Sequence, residues 1–372
     1  MLTFVSLLSL LACTGEPEET VCTEAPGNIC TWAGTGVAGL GGEGTPALET
    51  NLYLPIDMSW GPDGDAYLLD WNNHRIRRVT PDGGVVTIAG TGELGDGPVG
   101  PAVDTRFNHP SNLAWDSQGR MLIAAWHNSR VMRIDMSTGI LEFVAGDGTR
   151  SFAGDGGDPA VAKLDLPSGV VVDSRDQIYI SDQANQRIRC IDTTNVIDTV
   201  AGNGTPGYAG DGGAATDAEL HASVGQAAAP ANRMALSPDG ARLYFTDTGN
   251  HVVRFLDIAA GTMNAFAGTG VAGASGDGGP AATATLSGPT DLAFGPDGEL
   301  FVADTGNSCV RRIDPDGVIS TAVGVCGQLG YEGDGGAAED ALLNQPYGVE
   351  LDADGNLSVS DTSTQVVRVV YR

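Results

Sequence analysis

The stretch that decides the architecture is 289–324. It reads Pro289-Thr-Asp-Leu-Ala-Phe294, Glu299-Leu-Phe-Val-Ala-Asp304, Cys309-Val-Arg-Arg-Ile313 and Val318-Ile-Ser-Thr-Ala-Val323. Two of the three junctions are Pro-Asp-Gly turns, at 296–298 and 315–317; the third is Thr305-Gly-Asn307. Short alternating or β-branched runs between tight turns predict four antiparallel strands in chain order.

The same unit recurs along the chain. Its marker is the Ala-Gly of Trp32-Ala-Gly-Thr-Gly36, repeated at Gly90, Gly146, Gly202 and Gly268 and, in a degenerate form, at Gly324. The gaps from Gly34 onward are 56, 56, 56, 66 and 56 residues. Six copies of a four-stranded meander predict an all-β fold, a six-bladed β-propeller of four-stranded antiparallel blades. The first marker has no strands before it, and the last unit stops at its third strand, Val366-Val-Arg-Val-Val370. Asn28–Gly34 is therefore expected to supply the outer strand of the last blade, closing the ring and removing an open edge.

The Ala-Asp-Thr-Gly-Asn-x-x-Val-Arg-Arg-Ile stretch at 303–313 resembles an NHL repeat, and the resemblance covers about residues 28–372. It implies a six-bladed propeller and leaves the activity open, because such scaffolds host binding modules and enzymes alike.

Composition narrows the partners. The chain of 372 residues carries 19 Lys plus Arg against 47 Asp plus Glu, a net charge of −28. Such a chain repels phosphate backbones, so no nucleic-acid partner is expected. Gly is 54 of 372, which suits a turn-rich protein and not a helical bundle. There is no apolar run of about 20 residues, so any membrane association is expected only through a lipid anchor.

That anchor is suggested by the N-terminus. Leu10-Leu11-Ala12-Cys13 resembles a lipoprotein box, which makes 1–12 a signal peptide, Cys13 the lipidated residue and 13–27 an acidic tether. The missing basic n-region departs from that pattern, and an ordinary secretory signal is the alternative. Either way the expected address is the cell envelope, lipid-anchored, or the exterior. Export permits disulfides, and the spacing suggests Cys22 with Cys30 and Cys309 with Cys326, leaving Cys190 unpaired.

Comparing the copies assigns individual residues. The last residue of the second strand recurs as Asp70, Asp182, Asp247, Asp304 and Asp361. Seven positions on come Arg77, Arg189, Arg254, Arg311 and Arg368. The second blade has Ala125 and Met132, losing both together. These are expected to be structural pairs across the second and third strands, diagonal partners within reach of a long Arg. Asn73, Asn128, Asn185, Asn250 and Asn307 read as left-handed turn residues. The long inter-blade links carry Glu43, Asp96, Asp155, Asp211, Asp277 and Asp334 among glycines. These are read as turn residues, with a Ca²⁺ loop as the alternative. The long links and the second-to-third-strand loops lie on one face, opposite the tight turns, so function is expected on that elaborated face.

Two candidate sites follow. Trp71 and Trp126 replace the Thr or Gln of other blades. With His127 and His109 they form a candidate surface for a carbohydrate, another small molecule or a protein. The third residues of the inner strands form a ring at the channel mouth: Asp57, Asn112, Gly169, Arg233, Asp291 and Gly348. Asp57, Asn112 and Asp291 offer oxygens to Ca²⁺ or another divalent metal, an arrangement similar to that of gluconolactonase-like propellers. The three-His zinc site of peptide-amidating lyase propellers is matched only at His109. No nucleophile elbow, zincin motif or phosphate loop is present. The ten-residue insertion around Leu220–Pro230 is read as a lid or a longer loop. The expectation is a monomeric, exported binding or scaffold module, more a non-enzyme than an enzyme. The alternative is a metal-dependent hydrolase or lactonase.

Overall fold

A computed structural model describes residues 22–222, 224–225 and 229–372. The proposed signal peptide and Cys13 lie outside the described residues. Six antiparallel sheets form the ring. From inner to outer strand, blade 1 holds Pro55–Trp60, Ala66–Asp70, Arg75–Val79 and Gly84–Ala89; blade 5 holds Asp291–Phe294, Leu300–Asp304, Cys309–Ile313 and Ile319–Val323. Blade 6 holds Pro346–Leu351, Leu357–Asp361 and Val366–Val370, and its outer strand is Ile29–Ala33. The register Ile29↔Val370 and Ala33↔Val367 closes the ring as expected.

The core lies between blades. Six buried clusters among the described residues correspond to the six junctions. Ile56, Leu69 and Ile76 of blade 1 meet Leu113, Ile123 and Met132 of blade 2, and Ala33 and Val367 of blade 6 meet Met58 and Leu68 of blade 1. Each sheet is apolar on both faces because each faces a neighbour on both sides. Burial of this area, at roughly 25 cal/mol per Å², is what holds the ring together.

The marker glycines have a backbone reason. Gly34, Gly90, Gly146, Gly202, Gly268 and Gly324 all have positive φ, between 85° and 99°. A Cβ on Gly268 would sit 2.6 Å from the His251 carbonyl oxygen, so no other residue fits without displacement.

The links do more than connect blades. Thr45–Pro46 pairs with Gly84–Val85, and Gly100–Pro101 with Ile140–Leu141, adding a fifth strand to blades 1 and 2. Isolated bridges such as Gly157↔Ile197 and Asn28↔Ala337 do the same elsewhere. The outer edges are thereby covered, which removes a template for unwanted pairing. The short helical turns expected after each link are single 3₁₀ turns, for example Ala102–Asp104 and Ala281–Thr283.

Cys22 pairs with Cys30 and Cys309 with Cys326, at Cα–Cα distances of 5.8 and 5.0 Å. Cys190 is free and buried. The first disulfide fastens the end of the expected tether to the closing strand. Gly27 N–H also donates to the Tyr371 carbonyl at 2.8 Å, so residues 22–27 are docked on the last blade and not a free spacer. Among the described residues no helix is long and apolar enough to cross a membrane.

Candidate functional site

The elaborated face is assembled from a repeated loop. Each second strand ends in the recurrent Asp, or in Ala125 in blade 2; one 3₁₀ turn follows, and a left-handed residue returns the chain into the third strand. The left-handed residues are His74, Ser129, Gln186, His251, Ser308 and Gln365. The Asn that precedes the first five of these therefore does not adopt the left-handed conformation expected of it. Instead its side chain is a brace. Asn73 Nδ2 donates to Asp70 Oδ2 at 2.8 Å and to the Gly39 carbonyl at 2.8 Å, joining strand, loop and link.

The Asp–Arg pairs form across the diagonal. Asp70 faces Arg75 directly in the register, and Arg77 lies two residues further on. The ion-pair distances are 3.7 Å for Asp70–Arg77, 3.6 Å for Asp182–Arg189, 3.2 Å for Asp247–Arg254 and 3.5 Å for Asp304–Arg311. In blade 6 Arg368 bonds Asp334 instead, at 2.6 Å. Burial is the main influence on the carboxylates. It pushes Asp70 and Asp304 up to about 6, and Asp182 and Asp361 up to about 7.

The link acids complete these networks. Asp155 meets Arg189 at 2.6 Å, Asp211 meets Arg254 at 2.8 Å, Asp277 meets Arg311, and Glu43 meets Arg77 at 3.9 Å. Arg77, Arg189, Arg254 and Arg311 are thus each held between a strand carboxylate and a link carboxylate, and Arg368 by its link carboxylate alone. The link acids serve as clamps, and the calcium-loop alternative finds no vacant ligand set in them. In blade 2, Asp96 takes Arg130 at 3.3 Å, and Asn128 Oδ1 accepts the Asn108 N–H at 2.8 Å in place of the missing Asp.

Next to each recurrent Asp is a residue that reaches the following blade. Thr248, Thr305 and Thr362 donate to the carbonyls of Pro289, Pro346 and Pro55 at 2.6–2.7 Å. In blades 1 and 2 this position is Trp71 and Trp126. The structure brings the four candidate residues together, with His74 added. The Trp71 ring lies 4.6 Å from His109 and 6.2 Å from Trp126, and Trp126 stacks on His127 at 4.1 Å. His109 sits edge-on to His74 at 4.4 Å. It has φ 55° and is fixed by Asn108 at 2.9 Å and Asn72 at 3.2 Å. Burial and the neighbouring imidazoles lower His109 to about 4, and burial lowers His74 and His127, so the cluster is neutral at pH 7.

Availability differs within the cluster. Trp126 is 1 % exposed and bonds Gln183 at 3.2 Å, so it underlies the surface. Trp71, His109 and His127 are half-buried, and the Trp71 Nε1 and His127 Nε2 atoms lack a hydrogen-bond partner among the described residues. Among those residues, no three His, Cys, Asp or Glu side chains are grouped to hold a metal ion.

The channel ring is occupied by protein. Arg233 reaches across the axis and donates through Nη1 to Asp57 Oδ1 at 3.1 Å and Asp291 Oδ2 at 3.0 Å. Its Nη2 donates to the Ser111 carbonyl. The other oxygens are also engaged. Asp57 Oδ2 accepts from Asn112 and the Leu113 N–H, Asn112 Oδ1 from the Val170 N–H, and Asp291 Oδ1 from the Leu292 N–H. These residues do not fit a divalent ion. A guanidinium already neutralises the carboxylates, and no oxygen of the set is free of a hydrogen bond. Gly169 and Gly348 complete the ring by allowing close approach; a Cβ on Gly348 would stand 2.6 Å from the Ile56 carbonyl oxygen.

The insertion begins as a fastened loop: Gln186 exchanges hydrogen bonds with Ala222 at 2.8 and 3.1 Å. Residues 223 and 226–228 of it lie outside the described residues.

Comparison with known proteins places the chain among propellers of this kind. The family model described as "Teneurin NHL domain" matches residues 38–255, and "SMP-30/Gluconolactonase/LRE-like region" matches 209–328. Teneurin-1 of Mus musculus is 29% identical over 406 aligned residues, covering 96% of this chain and 14% of its own length. The chain thus spans about an eighth of the length of the teneurins it matches. Among solved structures, a protein of unknown function from Bacteroides thetaiotaomicron superposes with TM-score 0.68 at 15% identity, over 92% of this chain and 75% of that one. An auxiliary nutrient binding protein from the same organism gives 0.66 at 16%, over 92% and 75%. These likenesses show the fold.

Proposed function

We propose a protein-binding function for this chain, which belongs to the teneurin NHL domain family. The observation that carries it is a set of bare apolar side chains on the elaborated face. Val37, Leu94, Val271 and Leu329 each precede, by one or two residues, a link glycine beside the second-to-third-strand loop, and they are 56–65% exposed. Such residues have no role inside the ring, and their recurrence on one face, link after link, suits a partner that spans several blades. Trp71, His109 and His127, half-buried on the same face, add aromatic area. The net charge of −28 favours a partner with a neutral or basic surface. The tight-turn face has no comparable loops.

Placement outside the cell, by lipidation at Cys13 or by secretion, belongs to the same proposal, with 1–12 as signal and 28–372 as the propeller. The teneurin resemblance and the two disulfides support it. A hydrolase is the weaker reading. The gluconolactonase-like match spans 209–328, yet the oxygens expected to bind its metal are held by Arg233 and by backbone N–H groups.

The test is affinity capture from the native envelope with the full chain, repeated with Val37→Asp/Val271→Asp/Leu329→Asp and with Pro62→Ala on the tight-turn face. A partner retained by Pro62→Ala and lost with the triple variant supports the proposal. Equal capture by all three chains, or turnover of lactones at enzymatic rates, overturns it.

A further inference from the structure

Beneath Arg233, towards the tight-turn face, the channel widens into a cavity of about 410 Å³. Side chains alternate along a strand, so the residues two beyond the Arg233 ring share its inward direction. They are Ser59, Ala114, Val171, Ala235, Ala293 and Glu350, all of which line the cavity. Five are small or apolar. Glu350 is the one acid in this tier, and no ion pair or hydrogen bond holds it among the described residues. Its closest charges are Asp57 and Asp291, whose oxygens are committed to Arg233 and to backbone N–H groups.

Glu350 is half-buried, and its carboxylate faces a half-open channel lined by polar and apolar groups, with no protein partner among the described residues to neutralise it. Asp57, Asp291, Asp182 and Asp304 are each held by an Arg, whereas Glu350 has none. We propose that this cavity is a binding site for a slender organic cation, a primary alkylammonium group, with Glu350 as its counter-ion. The alkyl portion would lie against Ala114, Val171, Ala235 and Ala293, and the ammonium would meet Glu350 below the Arg233 plug. Ser59 Oγ already accepts the indole N–H of Trp115 at 3.0 Å, and it remains able to accept a second hydrogen bond. A hard metal ion fits less well. Such ions need six or more oxygens, and this tier offers one carboxylate and one hydroxyl. Burial together with Asp57 and Asp291 raises the Glu350 pKa well above its ordinary value, while Arg233 is spent on those two aspartates. A bound cation relieves that strain. This inference is independent of the elaborated face, because the cavity lies on the other side of the plug.

The experiment is calorimetric titration of the full chain at pH 8 with n-butylammonium chloride, with n-butanol and calcium chloride as comparison probes. One saturable equivalent of butylammonium is expected, with at least tenfold weaker binding of butanol. Glu350→Gln should weaken butylammonium at least tenfold while unfolding stays cooperative. Glu350→Asp, which keeps the charge, should retain binding better than Gln. No saturable butylammonium binding, equal affinity in Glu350→Gln, or stoichiometric calcium in its place would overturn the proposal.

Discussion

Arg233 and Asp57, separated by 176 residues, meet across the channel at 3.1 Å. The same guanidinium nitrogen holds Asp291 at 3.0 Å, so one side chain ties blade 4 to blades 1 and 5. All three residues are buried.

Removing that guanidinium leaves two buried carboxylates facing each other. Arg233→Met should therefore destabilise the protein by about 3–5 kcal/mol, the usual cost of breaking a buried ion pair. Denaturant unfolding measures it. The triple variant with Asp57→Asn and Asp291→Asn should recover part of the loss; no recovery would mean that Arg233 acts through packing alone.

Blade 2 offers a constructive test. Ala125→Asp alone and Met132→Arg alone each place an unpaired charge at a fully buried position, and both should destabilise. Together they recreate the pair found in the neighbouring blades. The double-mutant cycle should show favourable coupling of about 0.5–3 kcal/mol. Zero coupling would show that Asn128 and Asp96 have already taken over both roles.

Stability should fall as pH rises from about 4 to 8. Asp70, Asp304, Asp182 and Asp361 titrate at about 6 to 7 when folded, against 3.8 as the ordinary value. The folded state therefore holds more protons than the unfolded one in that window, and each such group loses its contribution as pH passes its folded pKa. Asp57, Asp247, Asp291 and Glu350 act in the same direction. His74, His109, His127 and His251, lowered by burial, oppose it but are fewer. Thermal unfolding across pH 4–8 tests the sign, and Asp182→Asn should flatten the slope. A midpoint that climbs steadily with pH would contradict it.

The Cys309–Cys326 bridge closes a loop with a sequence separation of 17. Replacing both by Ser should cost about 3 kcal/mol on the chain-entropy estimate for a loop near this length. Chemical denaturation of the double variant would show it. No change in midpoint would mean that the blade 5 hairpin is already fully constrained in the unfolded chain.

Much of this architecture was legible because it is local. The marker glycine, the Pro-Asp-Gly turns and the alternating runs state strand, turn and period within each copy. The missing fourth strand of the last unit then required Ile29–Ala33 to close the ring. The Asp–Arg pairs were legible from their joint loss at Ala125 and Met132. The link acids were harder. Their partners are the same arginines, but the 34 residues between Asp277 and Arg311 carry no local signal of contact. Arg233 stands in the ring beside Asp57 and Asp291, but in the sequence those aspartates read as metal ligands, and the opposite charge at equivalent positions was the overlooked sign of their pairing. The brace role of Asn73 and its equivalents was misread because the left-handed residue is the next one along.

Sequence by itself determined the repeat, the blade count, the closure and the face that carries the long loops, since each depends on residues near one another in the chain. Only the tertiary structure decided which groups share the axis. It set Arg233 between Asp57 and Asp291, buried Trp126 beneath Trp71 and His127, and left Glu350 facing a cavity without a partner. The physical reason is that a closed ring brings inner strands from distant repeats within reach of one another, and pairing across that axis depends on how blades are placed and not on the spacing of residues within any one of them.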